Sequence, residues 1–287
     1  MPRLWDAGAS VSGAGFWAVG GFPTDGTSVF AVSGNAIDRG DGGNSALANW
    51  VGGEGVFRLG PSLTFSGLSR DYFYPSDWLH YDVADQDLGG ASPVLFKMGG
   101  STYLLTVDKE GIVYVLDPAN LGGSGEALLT YSLNCASDCD VVGAPIVYTT
   151  AEGAYVGIPE GSREETEILY LSGNPPQVTP RPDAGVASRI VTLLAAPIAT
   201  TPDGSSEFVV WTVSGPHFFA DGGTLSAVDG FTGRMLATVP TPDSVHSFNP
   251  PIAANGRIVA AGCGACFGPP GELTAPPAGD GQLMFFY

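Results

Sequence analysis

A short tripeptide punctuates this chain at nearly constant intervals: Ser92-Pro93-Val94, Ala144-Pro145-Ile146, Ala196-Pro197-Ile198 and Pro250-Pro251-Ile252. The four prolines stand 52, 52 and 54 residues apart. A step near fifty restricts the fold more than any composition figure does. It corresponds to one four-stranded unit repeated along the chain, each unit too small to bury its own faces.

The segments between the prolines repeat as well. A second β-type run follows each motif at Tyr103–Val107, Ala154–Ile158, Phe208–Val213 and Arg257–Ala261. Third runs lie at Ile112–Leu116, Glu167–Leu171, Thr224–Val228 and Gln282–Tyr287, and fourth runs at Ala127–Leu133, Arg189–Leu194 and Met235–Val239. Asp108-Lys-Glu-Gly111 is a hairpin signal between two such runs. A longer-spaced copy comes first, with strands expected at Gly15–Val19, Ser28–Ser33 and Gly55–Leu59. The pattern predicts an all-β chain, a β-propeller of four-stranded antiparallel blades with about five blades present. Residues 1–287 read as one array, with 1–12 an irregular lead-in. No 11-residue window has amphipathic helical spacing, and Pro175–Pro182 reads as an extended connector.

Composition narrows the function classes. With 44% hydrophobic residues the chain is no disordered polymer, and its 42 glycines and 23 prolines fall largely at turns. Its formal charge of −18, from 29 acidic and 11 basic residues, argues against a phosphate-binding face, so nucleic acid is not an expected partner. No run of eighteen apolar residues marks a membrane span, and Met1-Pro-Arg-Leu-Trp-Asp6 has no signal-peptide core.

Four cysteines form two local pairs, Cys135/Cys139 and Cys263/Cys266. Two short-range disulfides would suit an exported β protein. A four-thiolate zinc site, a redox role for Cys263-Gly-Ala-Cys266 and free thiols remain the alternatives. His80, His217 and His246 lack metal spacing, and Arg163-Glu164-Glu165 reads as an exposed loop.

Several motifs carry a resemblance. Ser33-Gly-Asn35, Val56–Leu63, Ser76-Asp-Trp78, Asp85-Gln-Asp-Leu-Gly89 and Lys109–Asp117 resemble the quinoprotein-like (pyrroloquinoline quinone, PQQ-like) β-propellers. Gly223–Gly233 and Phe248–Arg257 resemble that family's later blades. The resemblance runs from about Gly13 to the end and implies the C-terminal five blades of a seven- or eight-bladed ring, with a complete five-bladed ring as the alternative.

It also implies a chemistry. In quinoprotein dehydrogenases a Ca²⁺ ion polarises the quinone while a carboxylate takes the alcohol proton, and a basic side chain faces the quinone oxygen. By motif, Asn35 is the candidate Ca²⁺ ligand, Asp77 the candidate base and second metal ligand, and Lys109 the candidate quinone contact. Asp82, Asp85 and Asp87 crowd the same segment, which leaves the choice of carboxylate open. The expectation is an exported binding or scaffold domain with its small-molecule or protein partner unidentified. The alternative is part of a PQQ/Ca-dependent alcohol or sugar dehydrogenase.

Overall fold

The structure is a computed structural model that describes residues 14–36 (18 apart), 50–135, 139–161, 165–181, 188–191, 197–201, 206–214, 223–241, 250–263 and 281–286. The expected lead-in, Cys266, His217, His246 and Arg163-Glu164 lie outside the described residues.

Five sheets hold the strands. The first is built from β1 (Val29–Val32), β2 (Val56–Leu59) and β3 (Tyr72–Tyr74), antiparallel in succession. The second starts with β4 (Val94–Met98), β5 (Ser101–Val107) and β6 (Ile112–Leu116). The chain then returns to the first sheet as β7 (Gly123–Ser124), parallel to β3, before closing the second as β8 (Leu129–Ser132). The third sheet is β9 (Ile146–Thr149), β10 (Ala154–Glu160) and β11 (Glu165–Ser172), with both β12 (Gln177–Val178) and β13 (Arg189–Val191) pairing onto β11. The fourth is β14 (Ile198–Thr200), β15 (Val209–Ser214), β16 (Gly223–Asp229) and β17 (Met235–Thr241). The fifth has β18 (Ile252–Ala254), β19 (Arg257–Cys263) and β20 (Gly281–Phe286). The second and fourth are four-stranded antiparallel sheets of the propeller-blade type.

Pro93, Pro145, Pro197 and Pro251 each stand one residue before the first strand of their sheet. Proline has no N–H to give a ladder and holds the preceding residue extended, so the edge entrance of a blade is where it fits. The repeat seen in the sequence is therefore a repeat of strand entrances.

By contact the chain divides into two compact units, Met1–Val142 with Leu171–Val178, and Gly143–Tyr170 with Thr179–Tyr287. In the first, Phe30, Val32, Val56 and Phe73 of the first sheet pack with Leu104, Tyr114 and Leu116 of the second, around Leu88 and Leu121. Each such fully buried side chain contributes about 1.5–3 kcal/mol. In the second unit Tyr148, Tyr155 and Tyr170 pack with Phe208 and Val210 across the third and fourth sheets. Val213 and Leu225 meet Ile258 and Ala260 across the fourth and fifth. Every residue of β10 is buried, as expected for a strand covered on both faces.

Three expectations are corrected. Phe16 and Trp17 do not form a strand, and the first sheet takes its third strand from Tyr72–Tyr74 instead. A helix, α1 (Trp78–Ala84), stands in the acidic segment; at 7 residues it is too short for an eleven-residue window to register. The Pro175–Pro182 connector contributes β12. No helix among the described residues is long and apolar enough to cross a membrane.

Candidate functional site

In the first unit the loop after β1 meets the segment that runs from α1 to β4. Ser33-Gly34-Asn35 lies against it backbone to backbone. A methyl group on Gly89 would collide with Ser33 and Gly34, and one on Gly34 would come within 2.8 Å of Asp87 Oδ1. With that clearance two carboxylates cap the loop. Asp87 Oδ1 accepts the Asn35 N–H at 3.1 Å, and Asp82 Oδ1 accepts the Ala36 N–H at 2.8 Å. The Asn35 side-chain amide donates to Asp85 Oδ1 at 3.1 Å and to the Asp82 carbonyl at 3.4 Å. Asp85 ends α1 in the left-handed conformation, at φ 59°, which short polar residues tolerate.

Lys109 reaches this cluster from the hairpin between β5 and β6. Its ammonium pairs with Asp87 Oδ2, donates to the Asp85 carbonyl at 3.0 Å and stands 3.3 Å from Asp85 Oδ2. The amine also lies 5.2 Å from the centre of the Trp17 ring, within cation–π range. Backbone contacts fix the hairpin: the Lys109 N–H donates to the Asp87 carbonyl, and the Lys109 carbonyl accepts from Val141, both at 3.2 Å. Only 12% of the Lys109 side chain and 2% of Asp87 are exposed, whereas 76% of Asp85 is. The cluster is thus a buried ion pair with one carboxylate facing water.

A second layer lies beneath. Glu54 is fully buried, and its Oε2 accepts the Leu88 N–H at 2.5 Å. Burial pushes its pKa up to about 9, helped by the charges of Asp87 and Asp82 and opposed by the Leu88 bond and by Lys109. That holds the proton on Glu54 to a higher pH than on an ordinary glutamate. Burial also raises Asp82. For Lys109, burial favours the neutral amine, but Asp87 and Asp85 outweigh it and the pKa rises. On the hairpin's other side burial pushes Asp108 up to about 7, against hydrogen bonds from Ile112 and Tyr81. Tyr81 and Tyr114 meet there through their hydroxyls at 3.0 Å.

The structure brings Asn35 and Lys109 to one carboxylate, Asp85. It leaves Asp77 apart. Asp77 precedes α1 while Asp85 ends it, about 12 Å further along the axis. The Asp77 side chain accepts from the Ser76 hydroxyl at 2.8 Å. Cys135 and Cys139 are joined as a disulfide, and Cys139 abuts the Lys109 hairpin at Gly111. Glu54 and Asp108 were not singled out from the sequence. For Glu54 the one available signal was an acid among glycines, Gly52-Gly-Glu-Gly55, just before a strand.

For a hard cation the donors are incomplete. Asn35 Oδ1 is a buried oxygen without a hydrogen-bond partner, which is the kind of atom Ca²⁺ takes. However, Asp87 is already held by Lys109 and Asp82 by Ala36. Among the described residues no group of three or more acidic, histidine or cysteine side chains is spaced to hold a metal ion. The residues described do not by themselves fit a quinone-bound Ca²⁺.

No protein-family model matches the chain, and no curated protein does. Solved structures do. The quinohemoprotein alcohol dehydrogenase ADHIIG from Pseudomonas putida HK5 matches at 12% identity over 85% of this chain and 43% of its own, with a TM-score of 0.47. The quinohemoprotein alcohol dehydrogenase from Comamonas testosteroni matches at 15% over 88% and 44%, with a TM-score of 0.47. BamB from Moraxella catarrhalis matches at 12% over 84% and 66%, with a TM-score of 0.40. The likeness is one of fold. The chain spans less than half the length of the two dehydrogenases.

Proposed function

We propose that this chain is a quinoprotein-like propeller segment that serves as an exported binding domain rather than as a self-sufficient dehydrogenase. The observation that carries this reading is the internal pairing of the Lys109 ammonium and the Asn35 amide group. Lys109 is taken up by Asp87 and Asp85, and the Asn35 amide by Asp85, so amine, amide and carboxylates hold one another. Such a cluster is a preorganised surface, with Asp85 and the half-exposed Trp17 ring presented to a partner. The Cys135–Cys139 disulfide supports export, since such bonds persist in oxidising compartments.

A second reading, part of a PQQ/Ca-dependent alcohol or sugar dehydrogenase, is favoured by the unpartnered Asn35 Oδ1 beside Lys109. One experiment separates the two. PQQ and Ca²⁺ are added to the protein, binding is followed by calorimetry, and dye reduction is assayed with ethanol and with glucose. The binding-domain reading expects no Ca²⁺-dependent turnover. Sustained dye reduction that is lost in Lys109→Ala would replace it with the dehydrogenase.

A further inference from the structure

Within the second unit, the fourth and fifth sheets enclose a cleft of about 520 Å³. That lies in the range of about 300–1,000 Å³ that small-molecule pockets occupy. One wall is the face of the fourth sheet, where Trp211 of β15, Leu225 of β16, and Ala237 and Val239 of β17 stand in adjacent rows. Trp211 pairs through Ala227 with Ala237, and Leu225 pairs directly with Val239, so their side chains share one face.

The other wall is the β18–β19 hairpin. Asn255 and Gly256 turn it at φ 51° and 74°, the two left-handed positions of a tight two-residue loop. Ile258 anchors it by packing on Val213 and Leu225. Trp211 is fixed as well. Its indole N–H donates to the Thr200 hydroxyl at 2.8 Å, and the hydroxyl, having accepted that bond, keeps its own proton to donate. Both walls are therefore in place before a ligand arrives.

Charge decides which ligand suits. The chain carries −18 overall, yet the cleft is lined by one cation, Arg257, and by no acid. Asp229 lies in the same ladder row as Thr200 but two strands away, and its carboxylate accepts the Phe231 and Thr232 N–H groups of its own turn. Thr200 and Arg257 stand at the same end of their sheets. Thr200 is three residues past Pro197 as Ala254 is three past Pro251, β14 packs beside β18, and Ala254 pairs with Arg257.

We propose that this cleft is a second binding site, for a small organic acid with a flat apolar body. The ring lies along Trp211, Ala237 and Val239, and the carboxylate meets Arg257 and the Thr200 hydroxyl. A guanidinium has five donors, so it can take a carboxylate and keep another partner. An indole face favours an aromatic body over an aliphatic one. The acid is otherwise repelled by the surface of an acidic chain, which makes the cleft selective by contrast.

The site owes nothing to the Lys109 centre, and its test uses neither PQQ nor Ca²⁺, so the two readings fail separately. The probe is phenylacetate, titrated into the whole protein by calorimetry beside phenylacetamide and acetate. Saturable binding of phenylacetate is expected, with the amide and acetate each several-fold weaker, one for want of the charge and the other of the ring. Arg257→Met should bring phenylacetate down to the affinity of the amide and leave the amide unchanged. Ala237 is exposed on β17, so Ala237→Trp fills the cleft without touching the core, and it should abolish binding. Phenylacetate that does not bind, that binds no better than its amide, or that binds Ala237→Trp as well as the unaltered chain would overturn the site.

Discussion

Lys109 holds Asp85 twice, donating to its backbone carbonyl at 3.0 Å and standing 3.3 Å from its carboxylate, while its remaining partner Asp87 is buried. The two acids should therefore differ in energy. Asp87→Ala leaves an ammonium that is 12% exposed with its inner partner gone, and breaking such a pair costs about 3–5 kcal/mol. Asp85→Asn neutralises a carboxylate that is 76% exposed while keeping a short polar residue at φ 59°, and should cost less than about 1 kcal/mol. Urea midpoints of the two variants test this, and equal losses would show that the pair is not buried in solution.

Stability should fall as pH rises above neutrality. Glu54 has a folded pKa of about 9 against an ordinary 4.5, so between those values the folded chain keeps a proton that the unfolded chain has released. Its contribution is complete below about pH 4.5 and is lost as pH rises through 9, at up to about 1.4 kcal/mol per pH unit. Asp108, pushed up from 3.8 to about 7, acts in the same direction but only on the acid side of 7. From pH 7 to 9 Glu54→Gln should flatten the profile, since its side-chain oxygen can still accept from Leu88. Parallel profiles for the two proteins would mean that Glu54 is ionised in the folded state.

Four of the five blades were legible in the sequence because each starts at a proline and alternates apolar runs with glycine turns. That grammar is local. What escaped it depends on distant pairing: β7 is two residues long and joins the first sheet only through Phe73 and Tyr74, some fifty residues earlier in the chain. The site shows the same division. Asn35 and Lys109 were found by motif, and both bond to Asp85. By contrast, Asp77 drew attention for its neighbour Trp78, and a two-turn helix carries it away from Asp85. Glu54 was invisible because nothing local tells a buried acid from a solvated one between glycines. The amide that meets its carboxylate belongs to Leu88, thirty-four residues on.

Close backbone approach sets the next expectation. Gly89 backs onto Ser33 and Gly34, with no flexible side chain to give way. Gly89→Ala should cost about 1–3 kcal/mol by overpacking, and it should part the Asn35 N–H from Asp87. Gly99, at φ +57° with open space around it, is the control, where alanine should cost about 1–2 kcal/mol through backbone strain alone. Hydrogen exchange at Asn35 separates the two. It should quicken in Gly89→Ala and stay unchanged in Gly99→Ala.

In the second unit, Arg189 decides how β13 is held. Its guanidinium meets Glu160 at 2.9 Å, Glu167 at 2.7 Å and Glu165 at 3.5 Å, and Glu160 is buried. Among the described residues three of β13 pair in register with β11, and Ile168 adds a bond to the Ser188 carbonyl. Arg189→Met removes the cation facing a buried carboxylate and should cost about 3–5 kcal/mol. Arg189→Lys keeps the charge but gives up the planar fork that reaches two carboxylates at once, and should fall between the two proteins. Thermal unfolding of the three proteins measures this. A methionine variant as stable as the lysine one would show that the acids do not depend on the guanidinium.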